Sequence, residues 1–328
     1  MRIVGNLLTV VVLASGGPFQ SPRPSPDKPA PPAWRMPLSA IRPDATFEVS
    51  GRRAILVAGN AVWVASREAG SIARIDPKAN TISKTIAVGK EPCGGLVSAF
   101  GSVWAPLCGQ AAVARLDVKT DAVAATFPSR LAGDLTALST SVGSIWLVTD
   151  PKGTLVRIDP ANNAPVAEIY LAPGANALAA GLDALWVTSG ARDLLTRLDP
   201  YTNLIVETIK VGKGPSAVAV GEGAIWVLNQ EAGSVSRVDP KTNKVANTIQ
   251  IGSAGAPGQI AIGAGSVWVS RLGAPLTRID PRTNHVVQQF TGESGGVVAF
   301  GQGALWIGAT PGAVWRVDPK LAEATRPR

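Results

Sequence analysis

The sequence predicts an all-β chain folded as a seven-bladed β-propeller of four-stranded antiparallel blades. Trp63, Trp104, Trp146, Trp186, Trp226, Trp268 and Trp306 recur at spacings of 41, 42, 40, 40, 42 and 38 residues, and a period near 40 with an aromatic landmark in a short apolar run marks radial or stacked repeats. Each Trp is followed 10 to 13 residues later by Arg-x-Asp: Arg74/Asp76, Arg115/Asp117, Arg157/Asp159, Arg197/Asp199, Arg237/Asp239, Arg278/Asp280 and Arg316/Asp318. Composition agrees. With 35 Gly, 26 Pro and 16% charged residues, the chain reads as short strands joined by tight turns, and hardly any segment keeps a helical period.

The chain opens with one Arg, a short apolar run and a small-residue end at Ser15-Gly16. Residues 1–17 therefore read as a signal peptide or an uncleaved anchor, and the protein as extracytoplasmic: periplasmic, secreted or tethered to the outer face of a membrane. Residues 18–44 carry Pro22, Pro24, Pro26, Pro29, Pro31 and Pro32 and read as an extended linker. The propeller is expected over 45–320 and a short tail over 321–328. Residues 1–44 hold five Lys/Arg against two Asp/Glu, and 321–328 hold two against one. About half of the net charge of +8 thus lies outside the propeller. What remains is no nucleic-acid footprint, which needs basic residues clustered on one face.

One repeat shows the blade. Ala217–Val220 is the expected first strand, Gly221-Glu222-Gly223 turns it, and Ala224–Leu228 returns antiparallel. After a loop, Ser234–Val238 is the third strand; Asp239-Pro240-Lys241-Thr242-Asn243 is a turn, and 245–251 is the fourth. Asp accepts from amides two residues on, Pro presets φ, and Asn tolerates the left-handed region. An Arg-x-Asp in every blade is scaffold: Asp caps the turn while Arg ties neighbouring sheets or stacks on an aromatic. The last repeat stops after its third strand at Val314–Pro319. Residues 45–50, Thr46-Phe47-Glu48-Val49 at their centre, match a fourth strand in alternation, so the N-terminal strand is expected to complete the last blade.

Cys93 and Cys108 are the two cysteines. If the second hairpin turns at Phe100-Gly101, residues whose numbers sum to 201 face each other, and these two do. An even count in an exported chain implies a disulfide; free thiols or a redox pair are the alternative.

Ile225-Trp226-Val227-Leu228-Asn229, Val235-Ser236-Arg237-Val238-Asp239 and Thr242-Asn243-Lys244-Val245 resemble the YVTN-type repeat of bacterial extracytoplasmic (YncE-like) propellers, with Trp in place of Tyr. That superfamily includes exported proteins of unknown ligand, sensor domains and surface-layer components, and it is similar to the streptogramin B (virginiamycin B) lyases, which use Mg2+ with a histidine and carboxylates at one mouth of the ring. The resemblance implies the fold over nearly all of 45–319. The sole histidine, His285, fills a slot that other repeats give to Thr81, Ala122, Ala164, Leu204 and Lys244, so it reads as a tolerant surface position.

No nucleophile elbow, phosphate loop or zinc spacing is present, so no catalytic residue, metal or cofactor is assigned; Mg2+ belongs to the lyase alternative alone. Function is sought where the repeats differ. Loops joining second to third strands, and those linking blades, share one face around the channel mouth. They offer Arg67, Arg130, Asp134, Asp150, Asn176, Arg192, Asn229, Gln230, Gln259, Arg271 and Glu293. Such a rim suits a small polar ligand, a peptide or a protein. The expected function is a ligand-binding or interaction platform with no nucleic-acid partner, touching a membrane only through an uncleaved leader, and monomeric.

Overall fold

The turn at Asp239 shows why this sequence folds as blades. The Asp239 carboxylate accepts the backbone N–H of Lys241 at 2.8 Å, and Asn243 takes the left-handed conformation at φ 55°. The chain thus reverses within five residues and pairs Ser234–Asp239 with Lys244–Gln250. The preceding strands Pro215–Gly221 and Ala224–Asn229 complete an antiparallel sheet of four, within a few residues of the sequence reading. The computed structural model describes residues 34–51, 53–133, 136–252, 254–255, 257–292, 296–309 and 312–320. The expected leader, the linker as far as residue 33, the tail 321–328, Asp134 and Glu293 lie outside them.

Seven such sheets follow one another: blade 1 spans 53–87, blade 2 97–128, blade 3 138–170, blade 4 175–210, blade 5 215–250, blade 6 258–291, and blade 7 298–317. The fourth strand of blade 7 is supplied by the N-terminal end of the domain. β2 (Ala45–Glu48) pairs antiparallel with Ala313–Val317, setting Phe47 opposite Val314. Phe47 is 4% exposed and its ring lies 5.8 Å from that of Trp306. Both ends of the propeller are therefore fixed in one sheet, and the ring has no open seam. First strands of successive blades contact one another around the axis, including blade 7 against blade 1. Gly263 is needed there, because a Cβ would collide with the Phe300 ring of the next blade.

An addition lies in the segment read as linker. β1 (Trp34–Pro37) runs parallel to the outer strand of blade 6, pairing Pro37 with Thr291. A 3-10 turn over Leu38–Ala40 then buries Leu38 and Ile41, and both pack in the apolar cluster shared by blades 6 and 7. Isolated Pro-rich composition does not reveal this, because four residues with two apolar anchors carry no period.

The seven Trp residues are at most 2% exposed. The indole N–H of Trp104, Trp146, Trp186, Trp226, Trp268 and Trp306 donates to the carbonyl five residues earlier at 3.1–3.2 Å. Over each of six rings, the Arg of the Arg-x-Asp stands 4.9–5.7 Å from the centroid. The same guanidinium reaches the next blade: Arg197 donates to the Pro240 carbonyl and the Asn243 Oδ1, each at 2.9 Å. Arg316 makes the closing contact, to Pro77 at 2.7 Å and Asn80 at 2.6 Å. In blade 2 the Asn of the turn is replaced by Asp121, and Arg74 pairs with it at 3.4 Å.

Hydrogen bonds from backbone N–H groups of their own turns hold the carboxyls of Asp76, Asp117, Asp199 and Asp239 below their ordinary value of 3.8. A depressed folded value means stability that is present above the ordinary pKa and lost as pH falls through the lowered ones. Unfolding free energy is thus expected to be level above about pH 5 and to decline below about pH 4, and Asp239→Asn should flatten that decline; denaturant titrations from pH 7 to 2 measure it. Ring closure is tested by Phe47→Ala, expected to cost about 3–5 kcal/mol, and by comparing chains that begin at Ala40 and Gly51. Only the second loses β2 and should melt well below the first; equal melting would overturn the closure.

Candidate functional site

Alternating strand direction puts the turns within the first hairpin and after Arg-x-Asp on one end of every blade. The loops after the second and fourth strands emerge on the other end. His285 begins the fourth strand of blade 6 opposite Asp280, so it belongs to the turn end. The candidate rim residues that are described belong to the loop end, but the structure gives them different roles.

Asn229 and Arg271 occupy the same repeat position, three residues after Trp, and are 0% and 2% exposed. That position is a latch. Ser66, Ser189 and Arg271 donate from it to the carbonyls of Ser50, Pro173 and Ile251 in the preceding inter-blade loops. Burial pulls the Arg271 guanidinium below its ordinary pKa. Asn229 instead donates to the hydroxyls of Ser234 at 3.1 Å and Ser236 at 2.9 Å. Asn176 donates to the Pro215 carbonyl at 3.0 Å and accepts from the Thr188 hydroxyl at 2.7 Å, joining blade 4 to blade 5. Gln259 accepts the Val298 N–H at 3.4 Å and so joins blade 6 to blade 7.

Nearer solvent, Arg67 pairs with Glu91 at 3.3 Å, and Arg130 pairs with Glu168 at 3.3 Å. Asp193 holds Gly214 N–H and Lys210. Burial pushes the Asp150 carboxyl up, but hydrogen bonds from Thr154 and the turn amides outweigh it and leave it lowered. Arg192 is exposed and Gln230 partly so. Among the described residues no three His, Cys, Asp or Glu side chains converge on a metal-sized space, and the loop-end carboxylates just named are held by amides or cations. Two further candidate carboxylates, Asp134 and Glu293, lie outside the described residues.

Blades 3 to 5 carry a different set of polar residues. Thr136, Asn176 and Ser216 hold one repeat position, at the entry of the first strand. Register shifts at Asn176 and Ser216 turn these residues out of the ladder. Bulges re-aim side chains in this way. The hydroxyls of Thr136 and Ser216 are buried without a hydrogen-bond partner, and so is the Asn229 Oδ1, which belongs to the residue paired with Pro215. Buried polar atoms are rarely left so. Thr136 and Ser216 were missed because Thr and Ser are unremarkable in a strand; aligning the repeats on Trp would have placed both beside Asn176.

Cys93 and Cys108 form the disulfide, with Cα atoms 5.8 Å apart. The register differs from expectation. The sum of 201 holds from Val97/Trp104 to Ala99/Ser102, but farther out Pro92 bridges Leu107 and the Cys93 N–H donates to the Pro106 carbonyl. The slip falls around Gly94, φ +60°, which lies against the Thr136 carbonyl where a Cβ would collide. The sulfurs meet diagonally.

No family model matches the chain, and no curated protein matches it. Among solved structures the chain is similar to a selenomethionine-substituted virginiamycin B lyase from Staphylococcus aureus, at 18% identity and TM-score 0.70 over 83% of this chain and 98% of that one. A streptogramin B lyase matches at 19% identity and TM-score 0.69, over 82% and 94%. A catalytically inactive histidine-to-alanine form of the S. aureus enzyme with quinupristin matches at 17% and 0.71, over 83% and 98%. Identities this low establish a shared fold.

Unfolded without reductant, the protein should show no titratable thiol, and two after reduction. Reduction should lower stability by about 3 kcal/mol for a loop of this length; an unchanged denaturation midpoint would show the bond to be idle.

Proposed function

We propose that the protein is an exported binding platform whose ligand is held at the loop-end mouth by blades 3 to 5. The observation that carries this reading is the pair of unpartnered hydroxyls at Thr136 and Ser216, at one repeat position on the loop end. A buried polar atom without a partner costs about 1–3 kcal/mol, a cost that a ligand supplying the missing partners removes. The two hydroxyls can each donate or accept. The ligand suited to them is neutral and polar and offers an N–H or O–H, as an amide backbone or a sugar does. Arg67, Gln230 and Arg192 stand farther out and would meet its periphery. Export is supported by the disulfide, which suits an oxidising compartment. Among the described residues no helix is long and apolar enough to cross a membrane.

The shared fold favours a second reading, a Mg2+-dependent lyase acting on cyclic depsipeptides. Against it, a catalytic base must stand within about 3 Å of the proton it removes, and His285 lies at the turn end of blade 6. Linearisation of a streptogramin B substrate with Mg2+ present is therefore expected to be absent, and His285→Ala to leave binding unchanged.

A thermal-shift screen of peptides and oligosaccharides tests the platform, since a ligand held only by the folded state raises Tm. Thr136→Val and Ser216→Ala should leave the free protein as stable or slightly more so, because each removes an unpartnered hydroxyl, and should weaken binding about fivefold or more. Turnover abolished by His285→Ala would replace this reading with the lyase.

A further inference from the structure

Repeat symmetry lets two outer grooves be compared residue by residue. Between blades 6 and 7 a cavity of about 210 Å³ is lined by Thr291, Gly292, Ala309 and Trp315. Between blades 2 and 3 the equivalent positions are Pro128, Ser129, Thr149 and Val156, and they line a cavity of about 180 Å³. The apolar floors correspond as well: Leu276, Phe290, Ile307 and Val317 in one, Val113, Phe127, Leu147 and Ile158 in the other.

The grooves differ in what covers them. Between blades 6 and 7 the N-terminal arm supplies Leu38, 5% exposed, and Phe290 beneath is 1% exposed. Between blades 2 and 3 no arm arrives among the described residues and Phe127 is partly exposed, while Val156, where the twin has Trp315, leaves room. Two opposite charges 3.3 Å apart stand at this groove, Arg130 and Glu168, 72% and 41% exposed, and Glu168 also accepts the Tyr170 hydroxyl at 3.4 Å. A second β1-like strand is disfavoured, because Pro128 replaces Thr291 at the edge and has no N–H to give.

We propose that the groove between blades 2 and 3 binds a free α-amino acid with a leucine-sized apolar side chain. Its side chain takes the place that Leu38 fills in the twin groove, its carboxylate meets Arg130, and its ammonium meets Glu168. A zwitterion can engage both members of this pair at once because its charges are one carbon apart; a ligand with a single charge engages only one. The floor of Phe127, Val156, Ile158 and Pro165 rewards an aliphatic body and gives a glycine-sized one nothing to bury. This site is separate from the channel mouth, so either proposal can fail without the other.

Isothermal titration of the full protein with L-leucine tests it, with 4-methylpentanoate, 3-methylbutylamine and glycine in parallel. For so small a ligand, saturation is expected at about 0.1–10 mM. Loss of either charge or of the side chain should weaken binding about tenfold. Arg130→Ala, at an exposed position, should do the same without changing Tm. Val156→Trp, which installs the residue of the twin groove, should abolish binding; if that variant fails to fold, Arg130→Ala decides. No saturation by about 50 mM leucine, equal binding of the uncharged-end analogues, or unchanged affinity in Arg130→Ala would each overturn the proposal.

Discussion

The arginine that follows each Trp is the contact on which the ring depends, because it satisfies two requirements with one side chain. Its guanidinium lies over the indole of its own blade, at 5.3 Å for Arg197 on Trp186, and its N–H groups reach the Asp-Pro turn of the next blade. Cation–π contact is worth on the order of 0.5–2 kcal/mol, more where water is excluded. The carbonyl and Asn acceptors give the contact direction, so a blade can meet its neighbour only with the turn in register. A propeller otherwise relies on apolar packing between sheets, which tolerates sliding. The guanidinium removes that freedom at the turn end, and Arg316 on Pro77 and Asn80 applies the same rule across the seam.

This division of labour explains why function is placed at the opposite end. At the turn end the polar side chains have repeated assignments, Asp capping, Asn accepting and Arg bridging, although the Arg316 Nε is left without a hydrogen-bond partner. At the loop end the latch after Trp varies in kind, from Ser66 and Ser189 to Asn229 and Arg271, because the loops it holds vary. Variation leaves some valences open, and Thr136, Ser216 and Asn229 are where it does so. Charged residues that look like a rim in the sequence have been largely absorbed into holding that variable end together.

The N-terminal arm adds an asymmetry that a seven-fold repeat cannot supply. By crossing from the edge of blade 6 into the groove before blade 7, it covers Phe290 with Leu38 and Ile41 and leads directly into β2. The arm thereby lines one groove, where a cavity of about 210 Å³ remains beside Leu38, while its twin between blades 2 and 3 has a cavity of about 180 Å³ over a floor of the same kind.

The architecture was legible in the sequence because it is written repeatedly: the seven Trp, the Asp-Pro-x-x-Asn turn that recurs five times and the missing last strand each follow from local chemistry that needs no distant partner. Closure by β2, the face of His285 and the pairing of Cys93 with Cys108 were legible for the same reason, as consequences of strand alternation. The diagonal meeting of the cysteines was not, since it arises from a slip at Gly94 that depends on the Thr136 carbonyl of the next blade. Likewise Asn229 and Arg271 read as rim residues, and only packing shows them buried, because burial is set by inter-blade loops far off in sequence. The strand at Trp34–Pro37 and the open valences of Thr136 and Ser216 were decided by tertiary structure alone: the first needs the outer edge of blade 6 to exist, and the second is a statement about missing partners, which no run of residues can express until every neighbour is in place.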